Sequence, residues 1–442
     1  MTYDYDILFL GGGLNYAGAV TAAKAGLRTA LVEKKMEHLG GTCLHNGCIP
    51  SKMYLQAAET VRASKKSHFS GSIRLDLAKL DEEKESMLSM ATGAITRQCS
   101  DVELIKGEGV LIAPYTVRVD TRTVTAEKIV IGTGSHPFIP EGIVYDGDAV
   151  ISSDEVLGMQ ELPEKIAVYG SGAIGLEMAA FFAAAGVETE LIWRHDTLLK
   201  KAHPMISNQL KKQFEKLGVT LLPEHSIKTA QKREQGVHIV FEDGKEHSVP
   251  KLLVATGRRS NTDVIQTNEI EIGKRGIETD VHFETTLADH YAVGDCNGKI
   301  QLAHAARAEV LYVVRRILGK KPDTVMMDSV VKFIHTLPCS YAYVGKTRSQ
   351  LQDEGIHYHE SSVPLNGLPY PHIHDADLGM MAVYSDEENF IVGAELFAPQ
   401  AEELIAIVAM AIAGEMDADL AKRTILAHPT FSESLEKCFL HL

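Results

Sequence analysis

Apolar residues along this chain fall first into short runs that stop at glycine. Tyr5–Leu10 meets Gly11-Gly12-Gly13, a small-residue stretch follows, and a second run, Thr29–Val32, ends at Glu33. The same order recurs later. Ile166–Tyr169 meets Gly170-Ser171-Gly172, continues through Ala173–Ala185, and is followed by Glu190–Trp193. Short apolar runs bounded by glycine predict buried parallel strands, and the small-residue stretches between them predict helices. Strand, glycine turn, helix, strand is the opening of a dinucleotide-binding βαβ unit. Its appearance twice predicts two nucleotide sites.

Each unit then closes on an apolar strand that ends in Thr-Gly. These are Ile129–Ile131 before Gly132-Thr133-Gly134 and Leu252–Ala255 before Thr256-Gly257-Arg258, and a further strand, His290–Val293, ends at Gly294-Asp295. The simplest topology nests one nucleotide domain inside the other, the chain leaving near residue 135 and returning near 258. After Pro322 the pattern changes to mixed strands and a long apolar helix, Glu402–Ala413, which predicts a third, C-terminal α+β domain. The fold class expected is α/β, with two nested Rossmann-like domains and this third one.

Composition narrows the function. The 442 residues allow about three domains at roughly 150 residues each. The longest apolar run, Leu404–Ala413, falls short of the roughly 20 residues that a membrane helix needs. Strand pattern from Tyr5 onward leaves no room for a targeting peptide. A net charge of -15, with Lys and Arg scattered in pairs, argues against nucleic-acid and anionic-membrane surfaces. Six cysteines in a chain of this length make no secreted disulfide framework, so a reducing cytoplasmic setting is expected. There a closely spaced cysteine pair does redox or metal chemistry rather than stapling.

The second glycine loop is regular. Gly170, Gly172 and Gly175 follow a strand and open a helix, which lets the backbone approach a pyrophosphate at the helix N-terminus. NAD sites carry an acidic residue at the end of the next strand. Here Trp193 stands there, followed by Arg194, His195 and Lys200. Such cations suit the 2′-phosphate of NADPH, which a carboxylate would repel; a solvated loop with chance charges is the alternative. NADPH is favoured over NADH. The first loop keeps Gly11 and Gly13, but Asn15 or Tyr16 replaces the third glycine. Glu33 is placed for a ribose hydroxyl, and Asp295 for a second polar segment of an extended cofactor, which fits FAD. Gly41, Thr42, Gly134 and Gly257 are further candidate cofactor-binding residues.

Between these elements lies Gly41-Thr42-Cys43-Leu44-His45-Asn46-Gly47-Cys48-Ile49-Pro50-Ser51-Lys52. Two cysteines at this spacing beside a flavin make a dithiol–disulfide couple, whose disulfide accepts two electrons. A zinc site would need a second ligand pair at suitable spacing, which is missing.

This segment resembles the redox motif of the flavoprotein disulfide reductases, the family of dihydrolipoamide dehydrogenase, glutathione reductase and mercuric reductase. The resemblance extends almost end to end, through Gly170–Glu177, Ala255-Thr256-Gly257-Arg258, Tyr291–Asp295, and His428-Pro429-Thr430 with Glu433. It implies that Cys43 attacks the substrate disulfide and that Cys48 lies against the flavin, forming a charge-transfer contact as a thiolate. Lys52 and Glu177 would pair near the reactive flavin nitrogen. Asp295 would bind the ribityl chain, and Ala303-His304 would offer backbone contacts to the ring. His428, held by Glu433 and preceding a cis proline bond, would be the acid–base group and would reach the dithiol from the other subunit. A homodimer with shared active sites follows. On this reading residues 1–150 and 259–322 form the FAD-binding domain, 151–258 the NAD(P)-binding domain and 323–442 the dimerisation domain.

Several features depart from the family. The first glycine loop reads one residue shorter. His45-Asn46 replaces the usual Asn-Val, which places an imidazole beside the dithiol, where it either lowers a thiol pKa or is a plain loop residue. Thr336-Leu337-Pro338-Cys339 replaces Thr-x-Pro-Glu. His357 and His359, then His372 and His374, alternate as strand residues sharing a face would, though solvated histidines are favoured over a metal site. Cys99, Cys296, Cys339 and Cys438 are expected as free thiols. The cationic loop looks like that of glutathione reductases, whereas Gly172–Glu177 and Leu302-Ala303-His304 look like dihydrolipoamide dehydrogenase. The function expected is an NADPH-dependent disulfide reductase acting on a small or protein-borne disulfide. The alternatives are an NAD-linked dihydrolipoamide dehydrogenase working in the thiol-oxidising direction and a non-catalytic redox sensor or partner protein.

Overall fold

The apolar runs form the strands their pattern predicts. In the computed structural model, which describes residues 2–321 and 325–442, the chain divides into two compact units. One comprises Met1–Ser51, Lys79–Phe138 and Arg258–Val325; the other comprises Lys52–Ala78, Ile139–Gly257 and Met326–Leu442. The boundary expected at 322–323 lies outside the described residues.

In the first unit, Tyr5–Leu10 is the central strand, paired in parallel with Thr29–Glu33 on one side and Arg122–Ile131 on the other. Glu103–Lys106 and His290–Ala292 extend the parallel part outward. An antiparallel ribbon, Gly109–Ala113 and Thr116–Val119, runs off Arg122–Ile131. Val, Ile and Leu crowd the sheet because both faces are covered. Leu8, Leu10, Val32, Ile129 and Ile131 are almost wholly buried in one cluster with Ala292 and Cys296. Each such side chain contributes roughly 1.5–3 kcal/mol of burial. The Asn15–Lys24 helix lies against Ala303–Ile317, and Gly18 permits the approach. A Cβ there would stand 2.5 Å from Val310 Cγ2 and 2.9 Å from Phe9 Cε1. The strand Ser135–Pro137 pairs antiparallel with Arg258–Ser260, so the chain leaves and re-enters this unit through one two-stranded ribbon. That is the nested topology.

The second unit contains a parallel sheet in the order Thr220–Leu222, Glu188–Ile192, Lys165–Tyr169, Leu252–Val254, Val150–Ile151. A three-stranded antiparallel sheet follows, Ile227–Arg233, Gly236–Phe241 and Glu246–Val249. Its C-terminal part is a five-stranded antiparallel sheet with Ser340–Gly345, Ile391–Ala398 and Met380–Asp386 at its centre. The Ala401–Ala413 and Ser432–Leu440 helices pack on it. That is the α+β domain.

The histidines expected to alternate along a strand are arranged otherwise. Pro369–Ile373 is a short helix with proline at its start; proline there fixes φ and removes ladder donors, so the segment cannot join the sheet. His372 Nε2 lies 2.9 Å from the Asn366 carbonyl oxygen, and the His374 ring packs on Tyr370 and Phe431 at 4.8 and 5.1 Å. His359 is in the strand Tyr358–Pro364, and His357 precedes it. Among the described residues no three His, Cys, Asp or Glu side chains are grouped to hold a metal. No helix among them is long and apolar enough to cross a membrane.

Candidate functional site

The two cysteines of the motif sit on consecutive turns. Cys43 lies in the short helix Gly41–His45, and Cys48 opens the Cys48–Ser64 helix. Gly47 lets these turns close: a Cβ on it would stand 2.8 Å from the Thr42 carbonyl oxygen and 3.2 Å from Cys43 Cα. The Asn46 N–H donates to Thr42 O at 2.9 Å and the Ser51 N–H to Gly47 O at 3.0 Å. Cys43 is half-buried and Cys48 exposed. The other four cysteines are free and buried. Burial pushes the Cys296 and Cys438 thiols up to about 12 and raises Cys99 and Cys339 as well, which makes them inert.

His45 does not serve the dithiol as a cation. Its Nε2 lies 3.2 Å from Leu39 O and 3.3 Å from Thr92 Oγ1, and its ring stacks on His38 at 4.9 Å. Burial lowers its pKa below the usual histidine value, with the neighbouring His38 acting the same way and Leu39 O opposing. A neutral imidazole gives the thiols no positive charge.

The first glycine loop keeps its backbone approach by a different route. Gly11 adopts φ +100°, with Gly132 O 2.4 Å from where a Cβ would be, and Gly41 at φ +73° brings its backbone against Gly13. Asn15 opens the helix, and its Nδ2 donates to Leu10 O and Val130 O at 3.4 Å. The Asn15 amide fills the space beside Gly132; its Oδ1 has no partner among the described residues. Tyr16 follows in the helix's first turn, half-buried, and its N–H reaches Gly13 O at 3.3 Å. Glu33 accepts from the Gly12 N–H at 2.7 Å and from the Lys35 N–H at 2.9 Å, which fixes its carboxylate at the strand end.

The second loop is the stricter one. A Cβ on Gly175 would fall 1.9 Å from Gly170 O, and one on Gly170, at φ +124°, 2.3 Å from Ala255 O. No side chain fits at either. Around Gly172 and Gly257 there is open space, and the Ala173–Ala185 helix has no side-chain cap at its start. Its first N–H groups are left for an anion. Beyond Glu188–Ile192, Trp193 is buried and its indole N–H has no partner among the described residues. Arg194, His195 and Lys200 are exposed, and Arg194 Nε donates to His195 Nε2 at 3.2 Å. This loop ends at His203, which is tied to the C-terminal sheet. The buried Glu395 carboxylate accepts from the His203 N–H, the Tyr341 and Tyr384 hydroxyls and the Arg348 N–H, at 2.8 to 3.0 Å.

Within the second unit Lys52 and Glu177 meet. Lys52 Nζ lies 2.7 and 2.8 Å from the two carboxylate oxygens, and the His335 N–H donates to Glu177 Oε1 at 2.9 Å. Lys52 also stands 5.3 Å over the Phe333 ring. His335 and Phe333 are absent from the residues that the sequence singles out, because backbone donors and ring faces leave no motif. In the first unit Asp295 is fixed in the same thorough way. Ser135 Oγ donates to its Oδ2 at 2.5 Å, Arg258 Nε donates to Ser135 Oγ at 2.8 Å, and Ser260 Oγ donates to Asp295 O at 2.6 Å. Glu309 holds the same turn, accepting from the Gly294 N–H at 2.7 Å and Asn297 Nδ2 at 2.9 Å. An acidic residue on the apolar face of Ala303–Ile317 was the signal that could have found it.

His428–Pro429 is a cis peptide bond. His428 Nδ1 lies 2.7 Å from Glu433 Oε2, and the imidazole is 78% exposed. With Nδ1 donating to a carboxylate, Nε2 is the nitrogen left to exchange a proton with a substrate.

Comparison with known proteins places the chain. Residues 5–309 match the family described as pyridine nucleotide-disulphide oxidoreductase, and residues 331–438 match its dimerisation domain. The chain belongs to this family. It is similar to the dihydrolipoyl dehydrogenases of Bacillus subtilis (29% identical, covering all of this chain and 98% of that one), Chlamydia muridarum (30%, 98% and 96%) and Geobacillus stearothermophilus (31%, 97% and 94%). Two solved structures share the fold. They are the HOCl-induced flavoprotein disulfide reductase RclA from Escherichia coli, with TM-score 0.89 and 24% identity over 99% of each chain, and LpdA from Mycobacterium tuberculosis, with TM-score 0.90 and 21% identity over 98% of each. The protein is thus a flavoprotein disulfide oxidoreductase of class I, acting on sulfur groups and resembling dihydrolipoamide dehydrogenase. Its family works with flavin and a pyridine nucleotide. The residues fit an extended dinucleotide: the Gly13–Gly41 approach, the strand-end Glu33 carboxylate, and Asp295 in a turn fixed by Ser135 and Ser260.

Proposed function

We propose that this protein is an FAD-dependent, NADPH-preferring disulfide reductase that works in the cytoplasm on a small or protein-borne disulfide. The observation that carries the coenzyme choice is the loop after Glu188–Ile192. Arg194, His195 and Lys200 are exposed there, just after Trp193 in the place of a carboxylate selecting NADH, and cations beside that place suit a 2′-phosphate.

Bound FAD would take a hydride from the nicotinamide and pass two electrons to the Cys43–Cys48 disulfide, opening it to the dithiol. The protein's own groups do the rest. Gly13, Gly41, Thr42, Gly134 and Ala303 would hold FAD through their backbone, and Glu33 and Asp295 through carboxylates. Gly170, Gly172, Gly175 and Gly257 would line the nicotinamide dinucleotide. In the reduced state Cys43 attacks the substrate disulfide, forming a mixed disulfide and expelling a thiolate, which takes a proton from His428 Nε2. Cys48 then attacks Cys43 Sγ, closing the Cys43–Cys48 disulfide and releasing the second thiolate. Cys48 is suited to this as the first residue of a long helix, whose positive end favours an anionic sulfur. Glu433 holds the Nδ1–H, so Nε2 first accepts the proton of the Cys43 thiol and then, as imidazolium, returns it to the leaving thiolate. Lys52 and Glu177 would orient the flavin.

The domain division that goes with this reading is flavin at 1–150 and 259–322, nicotinamide at 151–258 and dimerisation at 323–442. The working unit would be a homodimer in which His428 serves the partner's dithiol.

The competing reading, a dihydrolipoamide dehydrogenase working with NAD in the thiol-oxidising direction, is favoured by the relatives' names. Anaerobic titration of the purified protein decides. A long-wavelength thiolate–flavin band raised by NADPH and not by NADH supports the proposal. The same band with NADH alone supports the competitor.

A further inference from the structure

One face of the Ala303–Ile317 helix is absorbed by neither the redox centre nor the nucleotide sites. His304, Arg307, Ala308, Leu311, Tyr312 and Arg315 recur at helical spacing, so they share a stripe. With Lys320, Lys321 and Val325 they line a cavity of about 630 Å³. Among the described residues its lining holds four permanent cations and no carboxylate. Arg307, Arg315, Lys320 and Lys321 are exposed, and among the described residues none is ion-paired. A chain of net charge -15 has here a surface of opposite sign.

Part of this has a plain explanation. Cations near a helix C-terminus are favoured by its dipole, which accounts for Arg315 and for Lys320, whose N–H donates to Arg315 O at 3.0 Å. It does not account for Arg307, two turns earlier, nor for the cavity. From His304 to Arg315 the stripe spans roughly 16 Å at 1.5 Å per residue. That is about five residues of extended polypeptide. Ala308 and Leu311 supply an apolar floor between the charges.

We propose that this groove docks an acidic, extended segment of a protein that carries the disulfide to be reduced. The proposal rests on the disulfide-reductase reading above, in which the Ala303–His304 end of the helix lies at the flavin ring; the groove would lead an anionic chain to that end. The net charge of the chain is negative, so a cationic groove sets the orientation of an acidic segment as well as its affinity.

The test uses the purified flavoprotein and two fluorescein-labelled peptides with the same intramolecular disulfide, one flanked by glutamates, the other by glutamines. Anisotropy should show the acidic peptide binding about tenfold tighter or more at low salt, with the preference shrinking as salt rises. The Arg307→Glu/Lys320→Glu/Lys321→Glu variant should lose it. Equal binding of both peptides, or a preference that survives in the variant, overturns the proposal. So does an oligonucleotide of matching charge that binds the groove more tightly. If the triple variant fails to retain flavin, Lys321→Glu alone and the salt titration of the unmodified protein decide between the same two outcomes. Turnover is followed in parallel with NADPH and NADH. Acidic-peptide binding through the groove without reduction of either peptide sinks the reductase reading and leaves the groove. Reduction of both peptides at equal kcat/KM sinks the groove and leaves the reductase.

Discussion

Lys52 donates to both carboxylate oxygens of Glu177, at 2.7 and 2.8 Å. The pair joins residues 125 positions apart, yet each partner comes from a recognisable motif: Lys52 ends the cysteine segment and Glu177 follows the second glycine loop. The His335 N–H adds a third hydrogen bond to Glu177. Two donors from different elements fix the carboxylate's plane, and the carboxylate fixes the ammonium.

Glu177→Gln should therefore act on catalysis more than on folding. Lys52 remains partly exposed, so solvent compensates for much of the lost attraction and the stability cost is about 1–2 kcal/mol. Positioning is worth more, and kcat should fall about tenfold or further while flavin stays bound. Stopped-flow reduction by NADPH checks this. A rate equal to that of the unmodified protein would remove the pair from the mechanism.

Much of the candidate site was legible because the chemistry proposed for it calls for residue types at fixed spacing. Cys43 and Cys48, Gly170 to Gly175, and His428 with Glu433 were readable because dithiols, pyrophosphates and acid–base pairs each demand particular atoms. The nested fold was readable because buried parallel strands are continuous apolar runs ending at glycine. What escaped was carried by backbone and by packing. The His335 N–H, the Phe333 ring and the Ser135–Asp295 bond leave no mark in a sequence. For His45 the sequence left two roles open, and for His374 it favoured a solvated side chain; the first is half-buried with its pKa lowered by burial, and the second packs against Phe431.

Coenzyme choice should respond to Arg194. On the proposed NADPH reading Arg194→Ala would remove a charge-assisted contact to a 2′-phosphate, so KM for NADPH should rise about 10- to 100-fold and KM for NADH should not change. Steady-state kinetics with both coenzymes are sufficient. Trp193 is the wrong place to intervene, because its side chain is buried and a carboxylate put there would be desolvated. Equal changes for both coenzymes would count against NADPH specificity at this loop.

Glu309 predicts a pH dependence. Burial, with the nearby Asp295, pushes its carboxyl up to about 7 from an ordinary 4.5, against the pull of the Gly294 N–H, Asn297 and Lys299. An acid with a raised folded-state pKa holds its proton more tightly when folded. Its contribution is therefore fully present below about 4.5 and is lost as pH rises through about 7. Glu309→Gln keeps an acceptor for the Gly294 N–H and has nothing to titrate. The Tm of the unmodified protein, measured relative to this variant, should decline between about pH 4.5 and 8. Parallel Tm profiles would show that Glu309 titrates normally.

Gly47 is the most exacting position beside the dithiol. Gly47→Ala would set a Cβ 2.8 Å from Thr42 O and 3.2 Å from Cys43 Cα, both backbone atoms that cannot swing aside, so the two cysteine turns must separate. Gly13, Glu33 and Asp295, and the Lys52–Glu177 pair, are untouched. The variant should bind flavin, lose most disulfide reduction, and close its Cys43–Cys48 disulfide more slowly, as thiol titration after reduction and reoxidation would reveal. Retained activity would mean that the turns have slack the structure does not show.

The proposed sharing of the active site between subunits makes the last prediction. His428 is 78% exposed in its own protomer while its Nδ1 is held by Glu433, which leaves a proton-transferring nitrogen facing outward. If that nitrogen serves the partner's dithiol, Cys43→Ser and His428→Ala subunits are each inactive as homodimers but complement each other when mixed. A heterodimer then contains one site with an intact Cys43–Cys48 pair and an intact His428. Random reassociation of equal amounts gives half the dimers this composition, so about one quarter of the native sites should recover. Tagging the two subunits differently and isolating the heterodimer makes the measurement direct. An isolated heterodimer with no activity would place His428 on its own subunit's chemistry, and the homodimeric site would have to be abandoned.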